Sequence, residues 1–385
     1  MKVLITSEWY PPVINGVVTS IMTLRKGLEA RGHEVRLLCP ATAAHSHFDP
    51  SGFRIASLDV GFVYPSLRLG TPASHTTLKA IEEWGPDVVH SQAEFVTYQW
   101  AKVVAKRLNI PLVHTYHTVY QDYTHYFSPS KRLGTWLVSL FSKERLKGAD
   151  AVIVPTQKIS DLLGEYRVAA PIHVIPTGID LSSFAQAAED NAGALQLRKE
   201  LELPDKNTIL VYLGRLAKEK NLDEIFTLLA GLKRPDVTLV VVGDGPYRET
   251  LEQHVRKLGL ESQVLFTGAV TRQAVPQYYA LADVFVSGSQ SETQGLTYCE
   301  AMAAGLPLLC KKDAVLDEMI IDGVNGWQYT KPEEFGQYLE QITSSEEIIE
   351  GYRQESRRIA LGNYSMEAFA EAVEEVYLKA GEGRA

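Results

Sequence analysis

Two glutamates eight positions apart, Glu292 and Glu300, sit inside the stretch SGSQSETQGLTYCEAMAAGLP at residues 287–307. Between them Gln294 and Gly295 end a polar loop, and Cys299-Glu300-Ala301-Met302-Ala303-Ala304 continues as a good helix sequence. A loop that opens a helix presents free backbone N–H groups, which attract an anion. A carboxylate on each side of that anion site suits hydroxyl groups on either side of a phosphate. A sugar nucleotide has this layout: sugar, diphosphate, ribose.

Three further groups carry chemistry. Arg215 and Lys220 lie five positions apart, and together they can clamp a diphosphate, the guanidinium as a bidentate donor and the ammonium as a point charge. Taken alone, the same pair is an ordinary solvated basic loop. The segment HTYHTVYQDYTHYF at residues 114–127 gathers three His, four Tyr and an Asp. That crowding favours substrate contact by His117, with Tyr120, Asp122 and Tyr126 expected on the acceptor side. His117 and His125 stand on an irregular loop with no cysteine near, so the spacing suggests no metal site. Finally, Gly16 after Asn15 either lets the backbone approach a phosphate or sugar closely or serves a plain turn.

These residues need strands and helix starts to hold them. Short β-branched and aromatic runs recur at residues 2–7, 34–39, 53–60, 87–91, 111–117, 149–155 and 173–176, with helical stretches mostly between. Such alternation implies a parallel sheet with right-handed crossovers. A polar, Ala-rich stretch from Pro176 to about Asn191 reads as a connection. A second series follows at 208–214, 237–243, 263–267, 283–287 and 306–310. The expected architecture is therefore α/β: two doubly wound, Rossmann-like domains in tandem with a cleft between them. The expected domains are residues 1–180 and 193–365, plus a C-terminal helix over 366–385 that buries one face against one of them. The loops holding Arg215 and Glu292 then fall at carboxyl ends of parallel strands, where open α/β sheets bind ligands. Gly243-Asp244-Gly245-Pro246 lacks dinucleotide-fingerprint spacing, and no GxGxxG follows residues 2–7, which leaves a nicotinamide dehydrogenase a distant reading.

Composition narrows the class. The chain has 385 residues, 45% hydrophobic and 22% charged, as in a soluble globular protein. No apolar run is long enough to span a bilayer, and the first residues begin a strand rather than a signal peptide. Cys39, Cys299 and Cys310 lie in or beside apolar segments, which fits reduced core thiols in cytosol. The net charge of −9 argues against a general nucleic-acid binder. It is uneven: residues 1–180 are mildly basic and residues 181–385 strongly acidic. Residues 131–147 form an amphipathic helix in which Trp136 and Phe141 are flanked by Lys131, Arg132, Lys143, Arg145 and Lys147. That composition suits either an interfacial helix on anionic lipid or a core-facing helix with a solvated basic face.

With these residues in order, the chain resembles the retaining glycosyltransferases of family 4, which have the GT-B fold. INGVVTSIMTLRKGLEARGHEV, HTYHTVYQDYTHY and SETQGLTYCEA look like bacterial diacylglycerol glycosyltransferases, which add a hexose to diacylglycerol or to its glucosyl derivative. The resemblance implies that Arg215 and Lys220 neutralise the departing diphosphate. It implies that Thr293, Gln294, Gly295 and Leu296 hold phosphate or sugar oxygens, that Glu292 reads the donor sugar and that Glu300 binds the ribose. His117 would line the sugar near the reacting carbon, and Gly16 would let the first domain approach it. Many relatives carry a double glycine where this chain has Asn15-Gly16. The implied donor is a UDP-sugar, with glucose the expected hexose, no permanently bound cofactor and no essential metal. The implied acceptor is a lipid, at the inner face of the cell membrane, with the enzyme a cytoplasmic protein peripheral on that anionic surface. Rival readings are a family 4 transferase with another glycan or polyisoprenoid acceptor, and a non-catalytic sensor of sugar nucleotides.

Overall fold

The computed structural model describes residues 1–11, 13, 16–41, 46–59, 68–70, 74–117, 131–292 and 294–383. The chain forms two compact units, one of Met1–Gly178 with Met366–Ala385 and one of Ile179–Ser365.

The first unit runs β1 (Lys2–Thr6), α1 (Gly16–Ala30), β2 (Glu34–Pro40), β3 (His47–Asp49), β4 (Gly52–Ile55), β5 (Ser57–Asp59), β6 (Arg68–Gly70), α2 (His75–Trp84), β7 (Val88–Ser91), α3 (Val96–Leu108), β8 (Leu112–Thr115), α4 (Lys131–Leu146), β9 (Ala151–Val154), α5 (Gln157–Glu165) and β10 (Ile172–Val174). Its main sheet has the order β10-β9-β8-β7-β1-β2-β4-β3, parallel except for the antiparallel edge pair β3–β4. β1 and β9 read as near-continuous apolar runs because helices cover both faces of a parallel sheet, while β7 and β8 turn polar at their carboxyl ends with His90, Ser91, His114 and Thr115. The single strand expected over residues 53–60 is instead two. β4 stays in the sheet, while β5 leaves it after Ala56 to pair antiparallel with β6 in a separate ribbon.

The second unit runs α6 (Ser182–Glu189), α7 (Asn191–Glu200), β11 (Thr208–Leu213), α8 (Leu222–Leu232), β12 (Val237–Val242), α9 (Arg248–Leu258), β13 (Val264–Gly268), α10 (Val275–Ala280), β14 (Val284–Ser287), α11 (Leu296–Ala303), β15 (Leu308–Lys311), β16 (Gly326–Tyr329), α12 (Pro332–Ile342) and α13 (Glu346–Asn363). Its parallel sheet has the order β13-β12-β11-β14-β15-β16. The stretch expected as a connection is α6 and the start of α7. Phe184 of α6 packs into this unit's core and Ala187 is buried on the same helix, which gives the Ala-rich stretch a buried face to form a helix against.

The last helix, α14 (Met366–Glu382), packs in the first unit. Phe369, Ala370, Val373, Val376 and Tyr377 share a core with Val3, Ile5, Ile21 and Leu24. The α1–α14 crossing is close: a Cβ on Gly27 would lie 2.7 Å from the Ala370 Cβ. No helix among the described residues is long and apolar enough to cross a membrane.

Candidate active site

Each sheet has one place where the strand order reverses, and there the two adjoining strands send their loops to opposite faces. That opening is where doubly wound folds bind ligands. In the second unit it lies between β11 and β14, in the first between β1 and β7.

At the second unit's switch point, β11 ends at Leu213, and Gly214 begins the loop carrying Arg215. The buried Tyr212 hydroxyl donates to the Arg215 carbonyl (3.1 Å), which fixes the backbone while the Arg215 side chain stays exposed. The neighbouring loop packs directly beneath. Gly243 has φ 134°, and a Cβ there would lie 2.0 Å from the Gly214 carbonyl oxygen, so no other residue fits. The loop then makes a single 3-10 turn, Lys218–Lys220, closed by Asn221 at φ 53°. This turn presents the Lys220 ammonium 2.6 Å from Glu292 Oε1.

Glu292 comes from the loop after β14, which enters α11 through Gly295. Gly295 has φ 75°, and a Cβ would come 2.8 Å from the Tyr298 ring. The Tyr298 hydroxyl in turn donates to Ser287 Oγ at the end of β14 (2.7 Å), tying the helix start to the strand end. The leading N–H groups of α11 have no intrahelical carbonyl, as at any helix start. Gln294 is buried beside them and Leu296 half-buried. One turn further in, Glu300 accepts from the Tyr279 hydroxyl (3.0 Å). Burial pushes the Glu300 carboxyl up to about 6, against the lowering effect of that hydroxyl. Arg215, Lys220, Glu292, Gln294, Gly295, Leu296 and Glu300 thus belong to the two loops and one helix start at this opening. Thr293 lies outside the described residues.

The first unit's switch point is built from different chemistry. Gly16 starts α1, exposed, with open space where a Cβ would stand. His117 follows β8, and its Nε2 lies 2.6 Å from Gln92 Oε1. Around it the ends of β1, β7 and β8 bury Glu8, His90, Gln92, Glu94, His114 and Thr115. Glu8 accepts from the Thr97 N–H (2.7 Å), and burial pushes its carboxyl up to about 7. Burial likewise pushes His117 down to about 4 and His90 well below the ordinary imidazole value. At neutral pH these imidazoles are uncharged. Tyr120, Asp122 and Tyr126 lie outside the described residues.

Glu8, His90, Gln92 and Glu94 went unremarked in the sequence, although each directly ends or follows a strand. Their importance depends on β1 and β7 being neighbours, which strand patterns alone do not reveal.

The basic helix α4 buries Val138, Ser142 and Leu146, and leaves Trp136, Leu137 and Leu140 at 58%, 40% and 46% exposure. Phe141 is half-buried under the Arg145 guanidinium, 5.3 Å from its ring centre, while Lys143 and Lys147 are exposed. Trp136, Leu137 and Leu140 therefore face outward, not into a core. Of Lys131 and Arg132 only the helical backbone is described.

Comparison with known proteins agrees with this architecture. Residues 195–360 match the family profile "Glycosyl transferases group 1", and residues 14–183 match "Glycosyltransferase Family 4". The chain is 33% identical to the alpha-monoglucosyldiacylglycerol synthase of Streptococcus pneumoniae, over 99% of this chain and 86% of that protein. It is also 33% identical to the enzyme of the same name from Acholeplasma laidlawii, over 98% of this chain and 97% of that protein. Among solved structures, Anabaena HepE in complex with UDP superposes with a TM-score of 0.74 at 18% identity, covering 98% of this chain and all of that one.

Proposed function

We propose that this chain, which belongs to the family 4 glycosyltransferases and has their GT-B fold, moves a hexose from a UDP-sugar to diacylglycerol or a glycosyl-diacylglycerol with retention of anomeric configuration. The observation that carries the reading is the second unit's switch point. There an exposed Arg215, a Lys220–Glu292 pair, a helix start and a half-buried Glu300 stand at one opening, groups suited to a sugar (Glu292), a diphosphate (Arg215, Lys220 and the helix start) and a ribose (Glu300). The names of the two synthases at 33% identity support a glucosyl-diacylglycerol product class. The UDP complex of the similarly folded Anabaena protein supports the donor.

The chemistry asks for little beyond placement and charge. The acceptor oxygen attacks the anomeric carbon on the face from which the diphosphate departs. The bond from that carbon to the phosphate oxygen breaks and the new glycosidic bond forms. The acceptor proton passes to a diphosphate oxygen, and UDP leaves. Negative charge grows on the diphosphate, and Arg215, Lys220 and the α11 amides are fixed donors for it, a preorganised electrostatic site. In the free protein Lys220 neutralises Glu292. A bound phosphate competes for the same ammonium and so frees a carboxylate oxygen to accept from sugar hydroxyls. The ring hydroxyls of ribose fall to Glu300. His117 and Gly16 serve the donor sugar from the first unit. The outward apolar face of α4 with Lys143, Arg145 and Lys147 beside it fits a peripheral hold on an anionic bilayer, where a lipid acceptor resides.

The test is a donor-by-acceptor panel, with UDP-glucose, UDP-galactose and GDP-mannose against diacylglycerol, glucosyl-diacylglycerol and polyisoprenyl phosphate. Mass spectrometry reads the lipid product, and the proton coupling at its anomeric carbon reads retention. A hexosyl- or dihexosyl-diacylglycerol made from a UDP-sugar is expected. Product only on the polyisoprenyl acceptor, or none with bound UDP-sugar, replaces the reading with one of its rivals.

A further inference from the structure

A carboxylate behind the Lys220 turn holds two donors at once. Glu224, in the first turn of α8, takes the Asn221 side-chain N–H on Oε2 (2.6 Å) and the Lys311 ammonium on Oε1 (2.6 Å). Lys311 is the last residue of β15, so the carboxylate links the start of α8 to the end of that strand. The loop after β14 is caught on the same amide: Asn221 Nδ2 also donates to the Gly288 carbonyl (3.3 Å). Backbone meets backbone there, since a Cβ on Gly288 would lie 2.6 Å from the Asn221 carbonyl oxygen. The same turn and loop meet again further along, where the Ser291 hydroxyl donates to the Glu219 carbonyl (3.4 Å) and Lys220 pairs with Glu292.

This is not an ordinary helix cap. An Asn before a helix normally accepts from N–H groups of the first turn. Asn221, at φ 53°, makes no such bond. Its nitrogen faces two acceptors instead, the Glu224 carboxylate and the Gly288 carbonyl, which fixes the orientation of the amide, because an amide nitrogen only donates. Nor does the ion pair serve mainly stability. Lys311 and Glu224 are 19% and 23% exposed, and a pair partly open to water adds little. Its use lies in which donors it holds. A carboxylate has two oxygens to offer, whereas an amide in its place has one. Given a single oxygen, the charged Lys311 competes for it better than a neutral amide does.

We propose that Glu224 is a positioning residue for the donor's diphosphate: through Asn221 it holds the turn 218–221 against the loop after β14, and so fixes where the Lys220 ammonium stands. Lys311 occupies the second oxygen and offsets a negative charge that would otherwise oppose a phosphate at this turn. The bearing on the diphosphate rests on the reading that places Lys220 there; the hold on the turn does not. Without the carboxylate, the Asn221 amide keeps only its longer bond to Gly288, and the turn is free to shift relative to Glu292.

The experiment reads the turn and the ligand separately on the full chain. The Lys220 and Asn221 N–H groups donate to the Ala217 and Lys218 carbonyls, so hydrogen–deuterium exchange over residues 217–222, followed by mass spectrometry, reports the turn itself. Competition calorimetry compares UDP with uridine, which lacks the diphosphate. Glu224→Leu keeps a good helix former and removes both oxygens. Exchange of the segment is expected to rise, and UDP affinity to fall, about fivefold to tenfold, the scale of one hydrogen bond, with uridine within about twofold of wild type. Asn221→Gly keeps the left-handed backbone, removes the amide and is expected to match Glu224→Leu. Glu224→Gln with Lys311→Met has one oxygen and no competing ammonium, so that oxygen returns to Asn221, and both readouts are expected within about threefold of wild type. The proposal is wrong if Glu224→Leu or Asn221→Gly leaves the exchange as in wild type, or leaves UDP affinity so while Lys220→Met lowers it. It is equally wrong if uridine weakens as much as UDP, or if the double variant is as loose as Glu224→Leu. Lys220→Met isolates the other reading. Wild-type UDP affinity in that variant removes Lys220 from the diphosphate, while exchange still decides whether Glu224 holds the turn.

Discussion

The two switch points share a topology and differ in how they use charge. In the second unit, formal charges stand at the opening: an exposed Arg215, and a Lys220–Glu292 pair at 2.6 Å. In the first unit, the groups are more numerous, more deeply buried and mostly uncharged, with His90 and His117 both held neutral. A phosphate rewards full charges in fixed places, whereas a sugar hydroxyl rewards a neutral group whose donor and acceptor atoms are oriented. The difference also shows that net charge says little about a site. Residues 181–385 are the strongly acidic half of the chain, yet they present the cations. What matters is where the loops after β11 and β14 set them.

The comparison breaks first at Glu292. Glu292→Gln keeps the shape of the Lys220 partner and removes its charge. If Glu292 reads the sugar, kcat/KM for the UDP-sugar falls about 10²- to 10³-fold. UDP itself, measured by calorimetry, binds within about threefold of wild type, because Lys220 is released toward phosphate. Arg215→Ala is the complement: UDP affinity drops about tenfold or more, the worth of a charge-assisted bidentate contact. Should Glu292→Gln weaken UDP as much as the UDP-sugar, the division between a phosphate-reading and a sugar-reading side in this unit is wrong.

A second contrast concerns one carboxyl at each switch point, Glu8 buried and Glu300 half-buried. Glu8 in the first unit stands near 7 and Glu300 in the second near 6, both raised by burial above the ordinary 4.5. The folded protein therefore holds protons that the unfolded chain has released, so stability falls as pH rises from 4.5 to about 7 for Glu8, and to about 6 for Glu300. The full effect at Glu8 is of order 3 kcal/mol and at Glu300 somewhat less. Glu8→Gln retains an oxygen for the Thr97 N–H and removes the ionisation. Scanning calorimetry is expected to show the melting temperature of wild type falling across that window. In Glu8→Gln the fall should shrink and the melting temperature at pH 8 rise by several degrees. An identical pH slope in both proteins would mean that Glu8 titrates as an exposed carboxyl does.

The Rossmann-like halves were legible in the chain because a strand buried on both faces must be apolar throughout, as Val237–Val242 is, and because glycine closes helices where the backbone turns left-handed. Gly305, at φ 84°, ends α11 in this way. The residues of the second switch point were legible for a related reason: their loops directly follow such strands. What was not legible depends on which elements become neighbours. Tyr377 stands out in sequence only as part of an apolar helix face, and its hydroxyl meets His90 287 residues earlier. Lys220 and Glu292 were assigned separate ligand atoms, whereas the fold pairs them across 72 residues. The polar stretch after Pro176 looked like a linker because its helices are short, and only Phe184 and Ala187 of α6 are buried. Strand 53–60 split because β5 found a partner outside the sheet, which its own apolar pattern cannot announce.

The smallest effect tests whether the first unit's reserve about charge extends to its surface. On α4 the exposed Trp136, Leu137 and Leu140 stand beside Lys143 and Lys147, so apolar burial and attraction to anionic lipid are separable by mutation. Attraction is worth about fivefold per cation near a charged bilayer and fades within a Debye length as salt is added. Apolar insertion is indifferent to salt. Flotation with phosphatidylglycerol vesicles is therefore expected to recover the wild type at low salt and release part of it at high salt. Lys143→Ser with Lys147→Ser should lose only the salt-sensitive part, at most about 25-fold. Trp136→Ser with Leu140→Ser should lose the part that survives salt, and with it the blue shift of tryptophan fluorescence on binding. If both pairs float as the wild type does, α4 is a solvated helix whose exposed tryptophan serves something other than a membrane. A lipid acceptor would then have to be reached by another surface.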